Sequence, residues 1–164
     1  MNINSLTIKA QELLQGAMAL ARERKQQSVE AVHILAAATT EDDSLVSFLI
    51  GRSGGNLAAI RRECAEQIAR LPRVETSEDN SYFSREASLI IQRAVDFTRD
   101  FSDRYASVEH IALAIAAERS SARDILHRNS VSEKELKEAI KEFRKGETIS
   151  SPTESMEFDA LGKY

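Results

Sequence analysis

The sequence has no tryptophan, a single cysteine and two prolines in 164 residues. One cysteine, Cys64, cannot form a disulfide within the chain and fits a reducing compartment. No apolar run approaches the ~20 residues that a membrane-spanning helix needs. The opening "MNINSLTIKAQE" lacks a basic stretch followed by an apolar one, so no secretory leader is expected and the cytoplasm is the expected location. A net charge of −4 leaves no overall basic footprint for nucleic acid or an anionic membrane. The local arginines Arg61, Arg62, Arg70 and Arg73 are interleaved with Glu63 and Glu66, the pattern of a solvated helix face.

Catalytic motifs are missing as well. The glycines of "GRSGGN" are not followed by Lys-Ser/Thr, so they do not make a phosphate loop; they read as a helix stop and a tight turn. There is no G-x-S-x-G and no H-E-x-x-H. The histidines are His33, His110 and His127. His33 lies three residues after Glu30 on a predicted helix, but zinc needs three or four ligands and no further cluster supplies them. These residues predict a structural histidine, no metal site, no cofactor and no enzyme within this chain. Cys64 reads as a small core residue.

What is present is a duplication. In "SLTIKAQELLQGAMALARER", Ala10, Leu13, Leu14, Ala17, Met18 and Ala21 recur at the spacing of one helix face. In "YFSREASLIIQRAVDFTRDF", Ala87, Ile90, Ile91, Ala94, Val95 and Thr98 take the same places 77 residues later. Thr7 and Ser84 are the matching N-caps, preceded by Leu6 and Phe83. "SVEAVHILAAA" from Ser28 and "SVEHIALAIAA" from Ser107 align with a shift of 79, with both serines as N-caps and a loop two residues longer in the second half. "DDSLVSFLIGRSGGN" matches "SSARDILHRNSVS", and Ile60 and Cys64 match Leu136 and Ile140, at a shift of 76. Ser132 and Glu135 form a predicted capping box.

Each half therefore reads as four helices, residues 1–72 and 83–145, joined by "PRVETSEDNSY". No strand pattern of useful length is visible. Two copies are too few for an open array, so the halves are expected to bury their apolar faces against each other about a pseudo-two-fold axis. The expected fold is all-α, with about eight helices. After Gly146 the period fades, and 146–164 reads as a linker. That stretch nevertheless carries Met156, Phe158, Leu161 and Tyr164.

"LTIKAQELLQGAMALARER", then "SVEAVHILAA", "LIGRSGGN" and "RLPRVE", resembles the amino-terminal domain of the Clp ATPases from Met1 to about Lys145. "RLPRVE" and the position of the tail favour the disaggregase branch. "FDALGKY" resembles the lead-in to that family's first ATPase domain. The resemblance implies a non-catalytic substrate-recruitment domain on a homohexameric, ATP-driven threading machine, with ATP and magnesium confined to the ATPase domains. It implies that unfolded or aggregated polypeptides bind through a groove between the repeats, and that a cooperating chaperone system is a further partner of the full-length protein. It places function-associated positions on Thr7, Asp103 and Glu109, a groove wall at Ile91, and a groove position at His110 that is apolar in relatives. The fragment itself is expected to be a monomer. The runner-up is an N-domain that docks a folded adaptor, as in the protease-associated Clp ATPases.

Overall fold

The computed structural model describes residues 3–75 and 81–154. Among these residues the chain forms eight α-helices. The first half holds α1 (Ile8–Glu23), α2 (Ala31–Ala38), α3 (Leu45–Arg52) and α4 (Leu57–Arg70). The second holds α5 (Arg85–Asp96), α6 (Val108–Ala117), α7 (Ser121–Arg128) and α8 (Glu133–Arg144). Short 3₁₀ turns cover Ile3–Ser5 and Phe97–Phe101. The fold is all-α, as the periodicity predicts.

Helix starts follow local chemistry. Thr7, Ser44, Asn56, Ser84, Ser120 and Ser132 each accept a backbone N–H three residues on. Such a cap contributes about 1 kcal/mol. Capping boxes occur at Glu30/His33 and Ser107/His110, and at Ser132 only the cap itself forms. The N-cap of α2 is thus Glu30, not Ser28, whose hydroxyl instead donates to the Glu30 carboxylate.

These caps correct the register of the repeat. Glu30 corresponds to Ser107 and His33 to His110, a shift of 77. The left-handed residues Lys25 (φ 56°) and Ser102 (φ 57°) agree with it. The similar strings from Ser28 and Ser107 are therefore out of step by two, and no loop is longer before α6. The shift becomes 76 only after α2, where Ser44 and Ser120 start α3 and α7. Gly54 (φ 88°) and Ser130 (φ 69°) keep that spacing.

The halves interlock. Two-residue parallel strands, β1 (Ser28–Val29) and β2 (Tyr82–Phe83), pair across the duplication. The equivalent bridge runs from Leu6 to Ala106, with Thr7 N–H donating to the Ala106 carbonyl at 2.9 Å. Each half's first helix is thus hung from the other half. α3 packs on α8, α4 on α7, and α2 on α6. The central helices are apolar nearly all round, and α6 buries every residue from Glu109 to Ala116. That is the pattern of a helix enclosed by others. Each fully buried Ile or Leu in this core contributes about 1.5–3 kcal/mol. Gly55 and its counterpart Val131 meet at the pseudo-axis: a Cβ on Gly55 would lie 2.4 Å from Val131 Cγ2.

The first stretch after α8 is not a linker. Ile149 is fully buried, Arg104 N–H donates to its carbonyl, and Ile8 N–H donates to the Pro152 carbonyl. An apolar anchor inside a Ser/Thr-rich stretch carries no period, so the sequence pattern misses it. Met156, Phe158, Leu161 and Tyr164 lie outside the described residues.

Candidate functional site

Thr7, Asp103, Glu109 and His110 come together in one buried polar network. Ser107, read from the sequence as a helix N-cap and found as one, and Arg144, which the sequence reading did not single out, complete it. Thr7 Oγ1 caps α1 and donates to Ser107 Oγ at 2.9 Å. Ser107 N–H donates to His110 Nδ1 at 2.8 Å, which leaves the Nε2 proton to face Asp103 Oδ2 at 2.7 Å. Arg144 grips both Asp103 oxygens, at 3.0 and 2.9 Å, and its Nε donates to Glu109 Oε2 at 3.0 Å. The Ile149 N–H adds a fourth donor to Asp103, at 2.8 Å. Arg144 also reaches the Glu147 carbonyl. The network therefore ties α1, α6 and α8 to the segment leaving the domain.

Burial by itself would raise the pKa of Asp103. The hydrogen bonds from His110, Arg144 and the Ile149 amide outweigh it and hold the carboxyl below its ordinary range. Burial works against the Arg144 charge, and Asp103 and Glu109 more than restore it.

The first half carries the same layout with neutral residues in place of Asp103, Glu109 and Arg144. Gln26 stands for Asp103, Val32 for Glu109 and Ile68 for Arg144. His33 Nδ1 accepts the Glu30 N–H, and its Nε2 faces Gln26 Oε1 at 2.7 Å. Gln26 Nε2 donates to the Ile68 carbonyl at 2.7 Å. Burial holds His33 below the usual imidazole range, against the opposing pull of Glu30. His33 is therefore a structural, helix-capping residue. Arg144 was legible in principle: Leu136, Ile140 and Arg144 share one face of α8, and an arginine in an apolar row needs buried partners.

Burial changes the expected roles of these residues. Thr7, Glu109 and His110 are at most 1% exposed, and the Asp103 side chain is fully buried. None presents surface to a bound chain in this conformation. Ile91 is core, 2% exposed, rather than a groove wall; it shares the α5 face of Ala87, Ile90 and Ala94.

A pocket of about 220 Å³ lies within the first half. Leu20 of α1, Arg24 at its C-cap, Ala36 of α2, and Cys64, Ala65 and Ile68 of α4 line it. Arg61 lies along it, donating to the Thr39 carbonyl and paired with Asp42. Burial pushes the Cys64 thiol up to about 12.

A duplicated four-helix unit with crossed entry strands defines a known class of domain. The family model described as the Clp repeat (R) N-terminal domain matches residues 5–155, and the chain belongs to this family. Domains of this family are the N-terminal regions of AAA+ ATPases, not their catalytic parts. The chaperone protein ClpB of Porphyromonas gingivalis is 38% identical over all 164 residues, and that of Bacteroides thetaiotaomicron is 35% identical over the same length. The chain spans 19% of the length of these relatives. Among solved structures, the Hsp104 N-terminal domain from Candida albicans superposes with a TM-score of 0.78 at 22% identity, covering 90% of this chain and 97% of that one. The N-terminal domain of the caseinolytic protease associated chaperone ClpD from Arabidopsis thaliana gives 0.64 at 22% identity, covering 89% and 98%. At such identities the structural likeness establishes the fold. No helix among the described residues is long and apolar enough to cross a membrane.

Proposed function

We propose that this domain recruits unfolded or aggregated polypeptides to a ClpB-like, ATP-driven disaggregase that works as a homohexamer in the cytoplasm. The observation that carries this reading is the 38% identity with a ClpB chaperone across the whole chain. Nucleotide chemistry, with ATP and magnesium, belongs in this reading to ATPase domains outside the chain. The isolated domain is a monomer, and avidity comes from six copies on one ring. Thr7, Asp103, Glu109 and His110 act as positioning residues. Through Arg144 and Ile149 they hold the exit segment that joins the recruiting module to the rest of the machine.

A pull-down tests this reading. The immobilised domain is offered reduced, carboxymethylated α-lactalbumin, which cannot fold, and native α-lactalbumin. Retention of the unfolded form alone is the expected result. Retention of neither form, together with capture of a discrete folded partner, would favour the adaptor-docking reading, whose fold the ClpD domain shares.

A further inference from the structure

The pocket in the first half has a filled twin in the second. With the shift of 77, Leu20 corresponds to Phe97, Arg24 to Phe101 and Ala36 to Leu113. With the shift of 76, Cys64 corresponds to Ile140 and Arg61 to Lys137. At Leu20, Ala36 and Cys64 the second half carries a larger apolar or aromatic side chain, and at Arg24 it carries a ring in place of a cation; Ala65 and Ile68 correspond to Lys141 and Arg144. In the second half the site holds two rings of its own. Phe97 is 6% exposed, with the Lys137 ammonium 5.7 Å from its centre. Phe101 stands edge-on to His110 and lies 5.6 Å from the Arg144 guanidinium. The carbons missing from the first half leave the pocket.

We propose that this pocket receives an aromatic side chain from a bound polypeptide, as its twin receives Phe97 and Phe101 from its own chain. The volume suits a phenyl ring: an apolar cavity of about 150 Å³ is enough to take up benzene, and this one is about 220 Å³. The walls are mainly apolar, and Arg61 is held beside them by Thr39 and Asp42, as Lys137 stands by Phe97. A fixed cation near a ring adds attraction to apolar burial. The proposal rests on polypeptide recruitment only for the source of the ring.

The test uses the isotope-labelled chain and two soluble ten-residue peptides that differ only in one central residue, Phe or Ala. Amide shifts are followed by NMR. The Phe peptide is expected to saturate shifts at Ala36, Ala65 and Ile68, and to bind at least about tenfold tighter than the Ala peptide. Ala36→Leu, which copies the second half, should abolish that preference. Ala65→Trp alters an exposed position at the same pocket, so it preserves folding and should do the same. Equal affinity for the two peptides, or a Phe preference that survives both variants, overturns the proposal. So does uptake of N-acetylphenylalanine amide with refusal of both peptides, which would make this a small-molecule site. If the domain still retains unfolded α-lactalbumin while the Phe preference is absent, the pocket assignment falls and recruitment stands. Loss of both overturns both.

Discussion

Arg144→Ile is the sharpest perturbation of the buried network. It places in the second half the residue that the first half carries at Ile68. The side chain is 2% exposed and makes three bonds to two carboxylates. Its removal leaves Asp103 with His110 and the Ile149 amide, and leaves Glu109 with no ionic partner; Glu109 Oε1 already lacks a hydrogen bond. Breaking a buried ion pair by deleting one member costs about 3–5 kcal/mol. A domain of this size has roughly 5–15 kcal/mol in total. With a urea slope of about 2 kcal/mol per molar, the unfolding midpoint should fall by about 2 M. The triple variant Asp103→Gln, Glu109→Val, Arg144→Ile installs the whole neutral set of the first half. It should return to within about 1.5 kcal/mol of wild type, because exchanging buried ions together for apolar groups is often neutral. Equilibrium unfolding followed by circular dichroism measures both. A loss under about 1 kcal/mol in the single variant, or a triple variant as unstable as the single, refutes the reasoning.

Gly55→Ala should destabilise the domain by about 1–3 kcal/mol by driving a methyl into Val131 across the pseudo-axis. Val131→Ala in the same chain should recover part of that loss, and a double-mutant cycle of melting curves reads the coupling. Native Cys64, its thiol held near 12, should react with iodoacetamide at pH 8 on the order of a thousandfold more slowly than free cysteine; mass spectrometry over time gives the rate. The His33 ring, with its folded pKa lowered, should titrate below about 6.5 by NMR. The unfolded chain then binds the proton more readily, so stability conferred by His33 is complete above about pH 6.5 and declines as pH falls below it. Asp103, also lowered, contributes fully above about pH 4 and loses that contribution as pH falls through its folded value.

Much of the architecture was legible because it rests on local chemistry. Thr7 and Ser84 cap where their sequence positions say, and the apolar faces of α1 and α5 are the buried ones. The repeat register at α2 was not, because "SVE" occurs in both halves two positions out of step, and the His33 and His110 bonds, with the left-handed Lys25 and Ser102, reveal the true equivalence. Thr7, Asp103, Glu109 and His110 do share one locus, yet their burial depends on Arg144 arriving from a helix more than thirty residues later. Ile91 sits on a periodic face, and such a face does not announce whether a groove or a neighbouring helix covers it. The pocket was invisible because it is made of absences: small residues matter there only against the larger ones that the duplicate places at the same points.

The central claim is that this folded domain captures polypeptide because it is unfolded. Fluorescence anisotropy tests it most directly, with labelled carboxymethylated α-lactalbumin titrated by the domain at 0.05 and 0.5 M salt. The account predicts weak, saturable binding that native α-lactalbumin does not show. Binding should change little between the two salts, since apolar contacts dominate and a net charge of −4 gives little steering. Equal binding of the native form, or binding to the unfolded form that disappears at the higher salt, would contradict it.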